Sequence, residues 1–194
     1  MSTRSCIARA EGDGWSGRYV HSDGYPTWRG AELWKLWHTV FDGDIEAMLH
    51  CLIDEHPAGW SHLSGNWKKP AGFVERVNKP ANLSWEDWFD SFGPACYCHG
   101  DRHEPEQTIS HEYPDPLFIE WVYIFSPTHL TILAHQHCRQ TDAGAVAYGE
   151  DWAGVFYYRH VHVVTLPLAG DEPDWQDIQD KGYALYEALD MEVA

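Results

Sequence analysis

The phrase Tyr-x-His-x-Asp occurs twice in this chain, at Tyr19, His21 and Asp23 and again at Tyr97, His99 and Asp101. Alternate side chains of a strand share one face, so each copy presents a phenol, an imidazole and a carboxylate in order. If the two strands are neighbours, two imidazoles and two carboxylates converge near the strand ends. Such groups ligate zinc or manganese, and a site with an open position activates water or a phosphoryl oxygen. Without metal, an Asp that accepts from one ring nitrogen fixes the tautomer of its His, which then serves as general acid or base. His21, Asp23, His99 and Asp101 are therefore the candidate catalytic groups and, equally, the candidate ligands of a divalent metal. A third reading is binding alone, with Tyr19, Tyr25, Tyr97, Arg102 and Glu104 lining a pocket for a small anionic or nucleotide-like ligand. Beside these stands a structural alternative, because "DGYP" and "GDR" have turn composition and an Asp at a strand end often closes an Asx-turn.

Other spacings carry less chemistry. His160 and His162 share a strand face with Tyr158 and form a second tier of candidate metal ligands; His135 and His137 form a comparable pair. With 13 His in the chain, pairs of this kind also arise by chance. Cys96-x-Cys98 followed by His99 has zinc-ligand character, but no second such pair exists, so the cysteines read as small buried apolar side chains. Five Cys make an odd count, and Cys96 and Cys98 are too close along a strand to bridge each other, so reduced thiols are expected. "HLT" at His129 resembles one half of the paired H-x-[ST] signature of 2H-type phosphoesterases; "HLSGN" at His62 lacks the apolar strand of a second half. No phosphate-binding glycine loop, nucleophile elbow or H-E-x-x-H motif is present.

The totals narrow the function classes. Against 30 Asp and Glu stand 13 Lys and Arg, a formal charge of -17, which repels phosphate backbones and anionic membrane surfaces and argues against generic nucleic-acid binding. Such acidity serves solubility, or builds a surface that imitates DNA. The N-terminal stretch has no apolar core of a signal peptide, and no uncharged apolar run is long enough to span a bilayer, so a soluble cytoplasmic protein is expected.

The elements that must position these groups follow from periodicity. Alternation in "SCIARA" and "GRYVHSD" predicts two strands joined by the hairpin turn "EGDG". Leu33, Leu36, Trp37 and Val40 mark one helix; Ile45, Met48, Leu49, Leu52 and Ile53 mark another, capped by Asp44. A loop-rich segment is expected at about 60–83, then a short helix with Ser84 as N-cap. Strands follow at about 95–99, 117–125, 130–138 and 155–166, and a final helix at about 174–189. Strands joined by short turns, with helices gathered separately, predict an α+β fold: residues 1–194 form a single domain, mainly antiparallel β-sheet covered by helices.

Two of these stretches also carry a likeness. "STRSCIAR", "GRYVHSDGYP" and "YCHGDRHE" resemble a group of small uncharacterised proteins of phages, prophages and actinobacteria with S-R-S-x-I-A, Y-x-H-W-D-G-Y-P and Y-x-R-D-R-x-E motifs; Ser22 stands where the group has Trp. The resemblance implies a phage-type accessory protein, anti-defence in character, that binds a host protein or sequesters a nucleotide-like ligand in the host cytoplasm. A metal-dependent hydrolase acting on phosphoesters and an acidic DNA-mimic decoy are the alternatives, and a homo-oligomer is compatible with each.

Overall fold

A computed structural model describes residues 3–72, 81–84, 87–88, 91–149 and 155–187. Ser5–Glu11 (β1) and Gly14–Val20 (β2) form the expected hairpin, in register from Ser5↔Val20 to Glu11↔Gly14. The remaining strands are Trp60–His62 (β3), Ala95–Cys96 (β4), Ile109–Ser110 (β5), Trp121–Phe125 (β6), His129–Cys138 (β7), Val146–Tyr148 (β8) and Phe156–Pro167 (β9). They join one sheet in the order β4-β3-β2-β1-β6-β7-β9-β8, with β5 on β2. Most ladders are antiparallel, but β1–β6 and β2–β3 run parallel, so the α+β sheet is mixed.

Alternation sorts the side chains of the central strands into two layers. Ile7, Val20, Trp60, Cys96, Trp121, Tyr123 and Phe125 face the helices; Cys6, Ala8, Val122 and Ile124 join Trp15 and Ile119 in a smaller cluster on the opposite face. Ala31–Thr39 (α1) buries Leu33, Trp34, Leu36 and Trp37 against the larger core. Ile45–Leu49 (α2) starts where Asp44 accepts the Ala47 N–H at 2.9 Å, the expected cap, and Met48, Leu49, Leu52 and Ile53 are all buried. Trp175–Glu187 (α3) crosses β6 so closely that a Cβ at Gly182 would lie 2.1 Å from the Trp121 ring. Glycine is required there for helix and strand to pack.

Several boundaries differ from expectation. β3 lies inside the stretch read as loop, and β4 stops at Cys96 because the chain bends through residues 97–99. β6 begins at Trp121, since residues before it form a turn in which Phe118 and Ile119 both donate to the Asp115 carbonyl. Ser84 does accept the Asp87 N–H at 3.0 Å, while the short helix expected after it lies largely outside the described residues. Among the described residues no helix is long and apolar enough to cross a membrane.

Candidate metal centre and the tyrosine face behind it

Beyond α2 the helix loosens into a π-helical turn, His50–Asp54, in which Glu55 N–H reaches back to His50 O at 3.0 Å. Pro57 prevents continuation, and Gly59, at φ +79, closes the turn by donating to the His56 carbonyl at 3.0 Å. Trp60 then enters the core and ties its indole N–H to Leu52 O at 2.9 Å. His56 is thereby held against the Trp60 ring, centroids 4.3 Å apart, on the helix side of the sheet edge.

β4 arrives at the same edge. Cys96 pairs with Trp60 and faces the helix side; Cys98, two residues on, packs against the same core. The bend after β4 turns His99 out of the strand alternation and back toward Cys96. Cys96 Sγ lies 3.3 Å from His99 Nδ1 and Cys98 Sγ lies 3.5 Å from His56 Nδ1. The His56 and His99 rings are 5.0 Å apart, and one donor atom from each of the four residues falls within 4.8 Å of all the others. This His/Cys cluster has the composition and spacing to hold a metal ion. Tetrahedral zinc with Zn–S near 2.3 Å and Zn–N near 2.0–2.1 Å has an S···N edge of about 3.6 Å, close to both measured edges. Burial pushes the Cys96 thiol up to about 12, helped by the Cys98 thiol beside it. Burial likewise lowers His56 to about 4, with His99 adding to the effect. A second grouping, Cys51, Glu55 and His56, shares one of these donors. Its thiol is raised to about 11 by burial and by the charge and hydrogen bond of Glu55. With four donors against three, the tetrad is the stronger candidate.

The sequence pattern caught only part of this centre. Cys96, Cys98 and His99 were visible as C-x-C-H, but His56 was not, and the cysteines read as packing residues. The missing signal was the stop "HPAG": its His had to be brought beside the cysteine pair by β3, which the sequence showed only as loop.

The paired Tyr-x-His-x-Asp groups are distributed otherwise than the alternation predicts. β3 lies between β2 and β4, so the two copies are not adjacent strands. Their tyrosines nevertheless meet on the face opposite the metal cluster: Tyr19 and Tyr97 lie nearly parallel, centroids 6.3 Å apart at 19°. Gly59 helps hold them there, since its carbonyl accepts the Tyr97 N–H at 2.9 Å and a Cβ on it would lie 2.5 Å from the Tyr19 carbonyl oxygen. Arg102 covers Tyr97 with its guanidinium 4.9 Å from the ring centroid and pairs with Glu104 at 3.0 Å. His21 stays with Tyr19, its Nδ1 2.6 Å from the phenol oxygen, and its pKa is lowered by burial and by Arg4 and Arg102. His99 has crossed to the cysteines, so the expected convergence of both imidazoles is replaced by a tyrosine pair.

The carboxylates sit in turns. Asp23 is exposed in left-handed backbone, φ +53, and the turn around it is clamped by neighbours: Arg29 donates to Ser22 O at 2.6 Å, the Tyr123 hydroxyl to Gly24 O at 2.8 Å, and Gly24 N–H to Thr3 O at 3.0 Å. Asp101 is exposed in the bend that follows β4. Tyr25 packs against the helix-side core, away from Tyr19. His160 and His162 take separate partners: His160 Nε2 donates to Ile119 O at 2.7 Å, whereas the exposed His162 sits 2.9 Å from Thr165 Oγ1. Each ring thus has a partner of its own. His135 bonds Pro116 O at 3.2 Å, and His62 and His129 stand on β3 and β7 with three strands between them.

No protein-family model, curated protein or solved structure matches this chain.

Proposed function

We propose that the protein acts by binding, as a zinc-stapled module in which His56, Cys96, Cys98 and His99 hold one ion. The ion would fix the loop that offers Tyr97 and Arg102, beside Tyr19 and His21, to a small anionic, nucleotide-like ligand. The observation that carries this reading is the tetrad itself, four soft or borderline donors within 4.8 Å at a sheet edge otherwise secured by a two-residue strand. Two thiols and two imidazoles are the donor set of closed structural zinc sites. Four protein donors leave no position for an activated water, which favours binding over the hydrolase reading. The phage-type accessory role suggested by the "STRSCIAR", "GRYVHSDGYP" and "YCHGDRHE" stretches accords with a protein that captures a ligand or host factor.

The test is elemental analysis of protein purified without chelator or metal-affinity tag, followed by cobalt substitution. Expected are one zinc per chain and, with cobalt, thiolate charge-transfer and tetrahedral d–d absorption that disappear in Cys96→Ser and Cys98→Ser. Protein that folds yet takes up neither ion refutes the staple. Chelation should also weaken any nucleotide-induced rise in melting temperature; an equal rise with and without metal separates the binding face from the metal centre.

A further inference from the structure

A second recess lies at the opposite part of the sheet, where the end of α3 overhangs β6, β7 and β9. It encloses about 410 Å³ and is lined by Thr3, Arg4, Glu120, His135, Tyr158, Tyr183 and other side chains, with Tyr186 at its rim. The His135 ring lies nearly parallel to both Tyr186, centroids 4.9 Å apart at 19°, and Tyr158, 6.3 Å apart at 20°. Tyr183, 40 % exposed, sets its edge against Trp121 and leaves the rest of its ring toward solvent. One carboxyl, Glu120, faces this aromatic group. It is half-buried and accepts the Arg4 backbone N–H at 3.3 Å.

We propose that this cleft is a binding site for a small organic cation of the ammonium or quaternary ammonium class. Glu120 and the tyrosine rings give it acceptor character. The π-faces of three tyrosines attract cations, and a low-dielectric surround strengthens that attraction. His135 uses Nδ1–H on the Pro116 carbonyl, which leaves Nε2 as a lone-pair acceptor. Burial raises the Glu120 carboxyl, opposed by the Arg4 N–H bond and by the charges of Arg4 and the N-terminal ammonium, so this carboxylate already draws positive charge toward the cleft. Arg4 borders this cleft and the neighbouring recess that contains Tyr19, and its guanidinium lies 5.8 Å over Phe118. The long-range field of a chain with formal charge -17 draws cations in the same direction. This inference does not depend on the metal centre, which lies at the other edge of the sheet.

The experiment is a titration of full-length protein with choline and with its neutral isostere 3,3-dimethylbutan-1-ol, followed by tyrosine and histidine NMR shifts and by calorimetry. Saturable choline binding is expected, at least tenfold tighter than the alcohol, and weakened roughly tenfold in Glu120→Gln and in Tyr183→Ala. Tyr183 is partly exposed and Gln is isosteric with Glu, so both variants should fold; their unchanged far-UV spectra verify that. Equal affinity for the two probes, no saturation, or choline binding that survives both substitutions overturns the proposal.

Discussion

His160 holds one imidazole nitrogen, Nδ1, out of solvent's reach without a hydrogen-bond partner among the described residues, while Nε2–H is spent on the Ile119 carbonyl. Its ring lies edge-on to Trp15, and across the ladder it faces His135. Burial is the main reason its pKa falls to about 4; the Ile119 bond opposes that fall and His135 reinforces it. The unfolded chain titrates near 6.5, so between roughly pH 6.5 and 4 the folded protein binds fewer protons than the unfolded one. Stability from this residue is therefore complete above that window and is lost as the pH falls through it, by up to about 1.4 kcal/mol per pH unit. Urea midpoints should drop on going from pH 7 to pH 5 more steeply in wild type than in His160→Gln. Identical slopes would show that His160 does not titrate with unfolding. At this scale the sequence was legible in residue type and opaque in partner: H-x-H looked like a chelate because alternation counts faces, and it cannot see the Ile119 carbonyl that claims one ring.

At the scale of elements, the turn His56–Gly59 and the strand after it organise both sides of the sheet edge. Gly59 has φ +79, and a Cβ there would meet the Tyr19 carbonyl oxygen at 2.5 Å. Gly43, at φ +78, has nothing within 4 Å of its would-be Cβ. The two alanine substitutions separate backbone strain from crowding. Gly43→Ala should cost about 1–2 kcal/mol, the left-handed backbone term alone. Gly59→Ala should cost clearly more and should also change tyrosine fluorescence, because pushing Tyr19 away parts it from Tyr97. Equal losses in the two variants would mean that the edge gives way freely. The hairpin β1–β2, the Asp44 cap and the long strands β7 and β9 could be read from sequence because their signals are local. β3 could not, and β4 was expected but longer: strands of three and two residues carry little period, and their pairing is decided by where Trp60 and Cys96 find the core. That is why the repeated phrase looked like two neighbouring strands when a third lies between them.

Across the whole molecule, charge is the property composition foretold most directly. Several described cations are committed to carboxylates: Arg9 to Asp54, Arg18 to Glu106, Arg29 to Glu32, Arg102 to Glu104 and Lys181 to Asp177. With 30 acids and 13 bases, most carboxylates have no cationic partner to offset them, and the folded state brings them closer together than the unfolded chain does. Net repulsion of this kind opposes compaction and is screened once the Debye length falls to about 10 Å, near 0.1 M salt. The exposed ion pairs weaken under the same screening, but each is worth only about 0–1 kcal/mol, so repulsion should dominate. Thermal stability should therefore rise as NaCl goes from about 10 mM to about 0.3 M. A gain on the order of 1 kcal/mol corresponds to roughly 2–4 °C in Tm for a chain of this size. Scanning calorimetry of the metal-loaded protein at fixed pH measures this directly. A Tm that stays level or falls would mean that the ion pairs outweigh the surplus of like charge.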